Sequence, residues 1–163
     1  MKTAYLSLGA NLGDCVENIR KALNLLAEAG VEIRRVSSFY KTEPVGFRAQ
    51  AWFVNCAAEV ATDLMPMQLL KAVKKVERSL GRRSGVANGP RPMDIDILLY
   101  ESVTMQSSEL TIPHERMSER KFVLIPLREL AADARHPVTQ RTVLEMLQQT
   151  PDTSQVVKLK RET

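Results

Sequence analysis

A chain of 163 residues that is 44% hydrophobic, with seven glycines and eight prolines, is long enough for one hydrophobic core and short for two, so a single domain is expected over 1–163. No apolar run nears the roughly 18 residues of a membrane span, and MKTAYLSLGANLGD lacks the continuous apolar segment of a signal peptide. Cys15 and Cys56 stand far apart, with no C-x-x-C and no histidine at zinc-finger spacing, so neither a disulfide framework nor a structural zinc is implied and a reduced, cytoplasmic setting is favoured; the formal charge of +4 favours an anionic partner without naming it.

In chain order, TAYLSL (3–8) reads as a strand, GANLGD as a tight turn made by Gly9 and Gly13, and Val16, Ile19, Leu23 and Leu26 recur at helical spacing until Gly30. Asp14 is placed to cap that helix, with Glu17 three residues on. VEIRRVSSFYKT (31–42) returns to β-type alternation, and EPVGFRAQAW (43–52) reads as an exposed loop. FVNCAAEVAT (53–62) is a strand. Pro66 then opens a second helix carrying Leu69, Leu70, Val73, Val76 and Leu80, which ends at Gly81. After the loop RRSGVANGP, DIDILLY is another strand. The order predicts an α+β fold: a ferredoxin-like β-α-β-β-α-β antiparallel sheet with helices packed on it. A C-terminal helical extension follows, with an extended and a helical piece over 110–130, a last helix at 142–149, and a polar tail from Pro151 that is expected to be loosely held.

The chemistry concentrates in NGPRPMDIDILLY (88–100). In a strand, residues i and i+2 share a face about 6.7 Å apart, so Asp94 and Asp96 project together while Ile95 and Ile97 turn the other way. At that separation and an effective dielectric near 20, their repulsion is about 2.4 kcal/mol before desolvation, a sizeable part of a small domain's stability. A divalent cation reverses the sign, and magnesium is commonly held by one or two carboxylates together with substrate phosphates. A solvated strand start, or ion pairs with Arg91 and a neighbouring arginine, would also relieve the charge.

The surroundings favour the metal reading. Lys71, Lys74, Lys75, Arg78, Arg82, Arg83 and Arg91 lead into the acidic pair, and the stretch from Gly81 to Gly89 is loop-like. Phosphoryl-type transfer needs that combination, because it rests on positioning and charge neutralisation. Lys71, Lys75 and Arg78 fit better as a solvated helix face. GANLGD is not a phosphate loop, since it lacks both G-x-x-x-x-G-K-[ST] and a full G-x-G-x-x-G. His114 precedes Arg116 and Arg120, whose i, i+4 spacing would let them clamp an anion together on a helix, whereas His136 reads as part of a surface turn.

With these residues in view, the sequence resembles the 6-hydroxymethyl-7,8-dihydropterin pyrophosphokinase family. The likeness runs through YLSLGANLGD, SSFYKTEPVG, QAWFVN, VERSLGR, NGPRPMDIDILLY and TIPHERMSERKFVLIPL. It implies ATP as co-substrate, two Mg2+ ions, and transfer of pyrophosphate from ATP to the pterin alcohol in folate biosynthesis. Asp94 and Asp96 match the metal-binding pair, with Asp94 also next to substrate and Asp96 suited to take the hydroxyl proton. Arg82, Arg91, His114 and Arg120 match phosphate-contacting positions, while Glu77, Ile97 and Thr111 match other nucleotide-contacting ones. Thr42, Pro44, Val45, Phe53, Asn55 and Phe122 match the pterin pocket, where aromatic faces suit a flat heterocycle and an amide suits its edge.

Where family members commonly carry basic residues, this chain has Ser84 and Ala87, and Arg83 is the expected substitute beside the catalytic candidates Arg82, Arg91 and Asp96. The resemblance further implies a monomer acting on two small molecules, without nucleic acid or membrane. An RNA-binding module on the same fold is the rival reading. It is disfavoured by the 5% aromatic content and by carboxylates that would repel a phosphate backbone. A catalytically impaired family relative is the other alternative.

Overall fold

A computed structural model describes residues 1–44, 49–81 and 92–160. The chain folds as mixed α and β structure around an antiparallel sheet. Strand β1 (Lys2–Ala10) leads into helix α1 (Cys15–Glu28), then β2 (Val31–Val36), β3 (Tyr40–Thr42) and β4 (Phe53–Thr62). Helix α2 (Pro66–Ser79) follows, then β5 (Asp94–Tyr100) and a small hairpin of β6 (Met105–Gln106) and β7 (Thr111–Ile112). The chain closes with α3 (Lys121–Ala131), α4 (Val143–Gln149) and β8 (Val156–Lys158). The main sheet runs β5-β1-β4-β3-β8, and β2 also pairs with β4.

Alternation along β1 divides the molecule. Ala4, Leu6, Leu8 and Ala10 are fully buried in a core shared with Ile19 and Leu26 of α1 and Leu69, Val73 and Val76 of α2. The opposite face is covered further along by α3 and α4, where Ala57, Leu98 and Leu99 pack against Val123, Leu124, Leu127, Val143 and Met146. Between those helices and the strand ends, that second face carries Ser7 and Gly9.

β5 changes register to serve both cores. Leu6 pairs with Ile97 and Tyr5 with Leu99, so Leu98 is an extra residue, a β-bulge. Ile95, Ile97 and Tyr100 join the first core while Leu98 and Leu99 both enter the second. The carbonyl of Leu98 accepts a hydrogen bond from His114 N at 3.0 Å, tying the segment after β7 to the bulge.

Helices α1 and α2 form as expected, and their ends follow local chemistry. Asp14 accepts from Glu17 N at 3.1 Å, and Gly30 and Gly81 take positive φ of 90° and 89° just beyond the C-termini. Lys71, Lys75 and Arg78 are exposed, as a solvated face requires, and His136 sits in a turn where its Nδ1 accepts from Val138 N and Thr139 N.

Four expectations need correction. The span 31–42 is two strands, because the Ser37 hydroxyl takes the Ala57 N–H at 2.8 Å and Ser38 N donates to Glu129 at 3.0 Å, interrupting the ladder. Gly9 lies inside β1, paired with Asn55 and Asp94, and of the two glycines only Gly13 (φ 68°) belongs to the turn. Pro44, in the expected exposed loop, is buried. The polar tail is held: β8 pairs with β3 in the register Thr42 to Val156, Lys41 to Val157 and Tyr40 to Lys158.

Helix α3 is bound to the sheet edge by charge. The Tyr40 hydroxyl donates to Glu129, and Arg35 Nη2 donates to Glu59 at 2.7 Å and to the Leu130 carbonyl. Burial of Tyr40 and its bond to Glu129 push that phenol upward. Burial works to raise Glu129, but bonds from Tyr40 and Ser38 outweigh it and hold the carboxyl below its ordinary 4.5. A depressed folded pKa means that the unfolded chain binds more protons, so this stabilisation is present above 4.5 and is lost as pH falls through the folded value. Glu129→Gln is therefore expected to flatten the fall in Tm on the acid side of pH 4.5, measured by thermal melts across pH. Tyr40→Phe, which removes a bond to a carboxylate, should cost about 1–2 kcal/mol in urea unfolding at neutral pH.

Candidate active site

Register on the second face of the sheet assembles the site. Gly9 pairs with Asp94 on one side and Asn55 on the other, Ser7 pairs with Asp96, and Phe53 pairs with Thr42. Ser7, Gly9, Thr42, Glu43, Phe53, Asn55, Asp94, Asp96, Arg120 and Phe122 line one cavity. Asn55 Nδ2 donates to Thr42 Oγ1 at 2.6 Å, which turns the amide oxygen toward Gly9. Phe122 comes from the first turn of α3, and the Arg120 guanidinium lies 5.6 Å from its ring centre, a cation–π distance. The base of the 49–51 segment is anchored by Asn11, which is buried and donates to Gln50 at 2.8 Å and to the Ala51 carbonyl at 3.0 Å.

A second groove follows β5, the terminal strand on its side of the sheet. It is lined by Leu70 and Lys74 of α2, residues 94–97, residues 106–111, and His114, Glu115, Arg116 and Arg120. Asp94, Asp96 and Arg120 line both cavities. His114 Nε2 stands 3.9 Å from Asp96 Oδ1, with side-chain exposures of 21% and 31%, while its Nδ1 accepts from Arg116 N at 3.2 Å. Arg116 and Arg120 flank a 3-10 turn (Met117–Glu119) instead of standing one α-turn apart, yet both reach this groove.

Of the residues singled out from sequence, Thr42, Phe53, Asn55, Asp94, Asp96, Arg120 and Phe122 meet at the first cavity, and Ile97, Thr111 and His114 join the aspartates at the second. Pro44 follows Glu43, which lines the first cavity. Val45, Arg82, Arg83 and Arg91 lie outside the described residues. Glu77, expected to meet nucleotide, is only 2% exposed and accepts from Ile95 N at 2.8 Å, the peptide group between the two aspartates. It holds the strand that carries them. Ile97 is likewise 4% exposed, with its side chain in the first core. Ser7, Gly9 and Glu43 were not anticipated; the alternation of small with large residues in YLSLGA is the signal that marks Ser7 and Gly9 as one thin-skinned face.

Among the described residues no cluster of three or more His, Cys, Asp or Glu could enclose a metal. Two carboxylates on one face, beside a groove lined by Lys74, Arg116 and Arg120, fit a hard cation whose remaining oxygen ligands arrive with a phosphorylated molecule.

A model of the 7,8-dihydro-6-hydroxymethylpterin-pyrophosphokinase (HPPK) family matches residues 5–132. The chain belongs to this family. It is 43% identical over 137 residues to 2-amino-4-hydroxy-6-hydroxymethyldihydropteridine pyrophosphokinase of Bacillus subtilis, covering 83% of this chain and 82% of that protein. It is 41% identical over 151 residues to folic acid synthesis protein fol1 of Schizosaccharomyces pombe, covering 92% of this chain but spanning only 21% of that longer protein. In fold it matches a crystal structure of HPPK-DHPS in complex with substrates, with TM-score 0.70 and 15% identity over 90% of this chain and 43% of the other. No helix among the described residues is long and apolar enough to cross a membrane.

Gly9 has no room for a side chain unless Asn55 moves. A Cβ added to Gly9 would overlap Asn55 Oδ1 and lie 3.1 Å from its Cγ, so alanine there must push the amide out of its bond with Thr42. Gly9→Ala should weaken binding of a pterin ligand by roughly tenfold or more, about 1.4 kcal/mol, read by fluorescence titration. Affinity for the nucleotide should stay within about threefold.

Proposed function

We propose that this chain transfers the pyrophosphoryl group of ATP to the hydroxymethyl oxygen of 6-hydroxymethyl-7,8-dihydropterin, releasing AMP, as one step of folate biosynthesis. One observation carries the reading: the two aspartates form the shared wall of an aromatic-lined cavity and a cation-lined groove. A flat acceptor in the first and a polyphosphate in the second would meet there.

In this mechanism Phe53 and Phe122 hold the pterin ring, and Asn55, oriented by Thr42, reads its edge. That fixes the hydroxymethyl oxygen near Asp94 and Asp96. The oxygen attacks the β-phosphorus in line, the bond from that phosphorus to the oxygen bridging to the α-phosphate breaks, and the electron pair leaves with AMP. Asp96 accepts the hydroxyl proton. His114, beside Asp96, and Arg120 offset phosphate charge, and Arg82, Arg83 and Arg91 are proposed to complete that role, with Thr111 and Ile97 along the nucleotide groove. Asp94 and Asp96 would hold two magnesium ions entering with ATP, whose chemistry is to neutralise phosphate oxygens and polarise the phosphorus.

The strand order β5-β1-β4 flanked by β2 and β3, with α1 and α2 as the crossings, supports a ferredoxin-like assignment of the sheet, extended by β8. A single domain acting as a monomer in the cytoplasm completes the reading.

The decisive measurement is chromatographic detection of AMP that requires ATP, magnesium and hydroxymethyldihydropterin together. AMP formation independent of the pterin would refute the assignment. Asp96→Asn should keep the circular dichroism of the parent and lose at least about a hundredfold in kcat, in line with removal of a positioned proton acceptor. Comparing Arg82→Ala with Arg83→Ala identifies which of those guanidiniums serves turnover.

A further inference from the structure

The family match ends at residue 132, yet the segment after it touches both walls of the acceptor cavity. Helix α3 begins at Lys121, and its preceding residue, Arg120, makes no side-chain cap. A helix start leaves amides without intrahelical partners. Here the Lys121 amide is taken by Asp152, 31 residues further on, at 2.9 Å through Oδ2, while Asp152 Oδ1 accepts from Ser154 N at 2.8 Å. Across the cavity Glu43 and Gln155 are joined twice: Glu43 N donates to the Gln155 carbonyl at 3.1 Å, and Gln155 N donates to Glu43 Oε2 at 3.0 Å. β8 then pairs with β3 from Thr42 to Tyr40. Four residues of tail thus link the Arg120–Phe122 wall to the Thr42–Glu43 wall.

We infer that Asp152 is a positioning residue and that residues 152–158 form a strap setting the width of the acceptor cavity, an inference that rests on the pterin reading of that cavity. The strap acts at the backbone. Asp152 fixes where α3 starts, and with it the direction from which Phe122 and Arg120 enter the cavity; the Glu43–Gln155 pair fixes the facing rim. Its effect should fall on recognition of the flat ring more than on the chemical step, because the aspartates sit on β5, which the strap does not touch.

The test is steady-state kinetics of the full chain with ATP and 6-hydroxymethyl-7,8-dihydropterin. Asp152→Ala should raise the pterin KM roughly tenfold while kcat at saturation stays within about threefold, and Asp152→Asn, whose single amide oxygen can accept from Lys121 N but not from Ser154 N as well, should recover part of the loss. A lowered Tm with unchanged pterin KM would mean a purely structural cap and overturn the inference. Hydrogen exchange on the unaltered chain decides independently should the alanine variant fail to fold. Adding 6-hydroxymethylpterin with α,β-methylene-ATP should slow exchange at the amides of Lys121, Ser154 and Gln155 beyond the effect of the nucleotide analogue alone, since coupling between strap and cavity is reciprocal. Unaltered exchange at those amides overturns the inference. Normal AMP release with either negative result sinks the strap alone; an unaltered chain that releases no AMP sinks the strap and the functional reading together.

Discussion

Everything at the site depends on one strand presenting almost nothing. β1 lies between β5 and β4, so a side chain at position 9 would fill the space between Asp94 on one side and Asn55 on the other. Ser7 and Gly9 leave that space open, and at Gly9 even a methyl group would collide with Asn55. The same strand buries Leu6 and Leu8 completely on its other face. A single alternation of large and small residues therefore builds the core and hollows the cavity in the same nine residues.

The acidic pair is tolerated because its strand is held from three directions. Pairing with β1 fixes its register, Glu77 grips the peptide N–H between the two aspartates, and the Leu98 bulge lets Leu98 and Leu99 enter a second core while the Leu98 carbonyl receives His114 N. The bulge also explains how one short strand serves two layers of helices: without the extra residue, Leu98 and Leu99 would point to opposite faces. Carboxylates placed by backbone register, not by flexible loops, have a fixed separation, which suits ligands for a cation whose remaining coordination is supplied by a diffusing polyphosphate.

The two cavities differ in character in the way the proposed transfer demands. One is walled by Phe53, Phe122 and an oriented amide, the other by Lys74, Arg116, Arg120 and His114, and the aspartates stand at their junction. Buried groups elsewhere are inert by comparison. Cys56 is wholly enclosed, and burial pushes its thiol up to about 12, which removes it as a nucleophile near neutral pH.

How far the sequence reached follows from the range of the forces it encodes. Helix boundaries at Asp14, Gly30, Pro66 and Gly81, the shared face of Asp94 and Asp96, and the family likeness that gathered Thr42, Asn55, Phe53 and Phe122 were legible, because capping, periodicity and collinear motifs are local properties of the chain. The break at Ser37, the placement of Gly9 inside a strand, the burial of Glu77 beneath β5 and the docking of the tail were not. Each is decided by a partner distant in sequence: Ala57 for Ser37, Asn55 for Gly9, Ile95 for Glu77, Lys121 for Asp152. A polar tail with no hydrophobic period gives no local sign that it will pair, since its stabilisation comes from backbone hydrogen bonds and one carboxylate that exist only once β3 and α3 are in place. The sequence by itself determined the two long helices and the shared face of the acidic pair; tertiary structure decided which faces meet, because register across a sheet is a property of two strands and not of either alone.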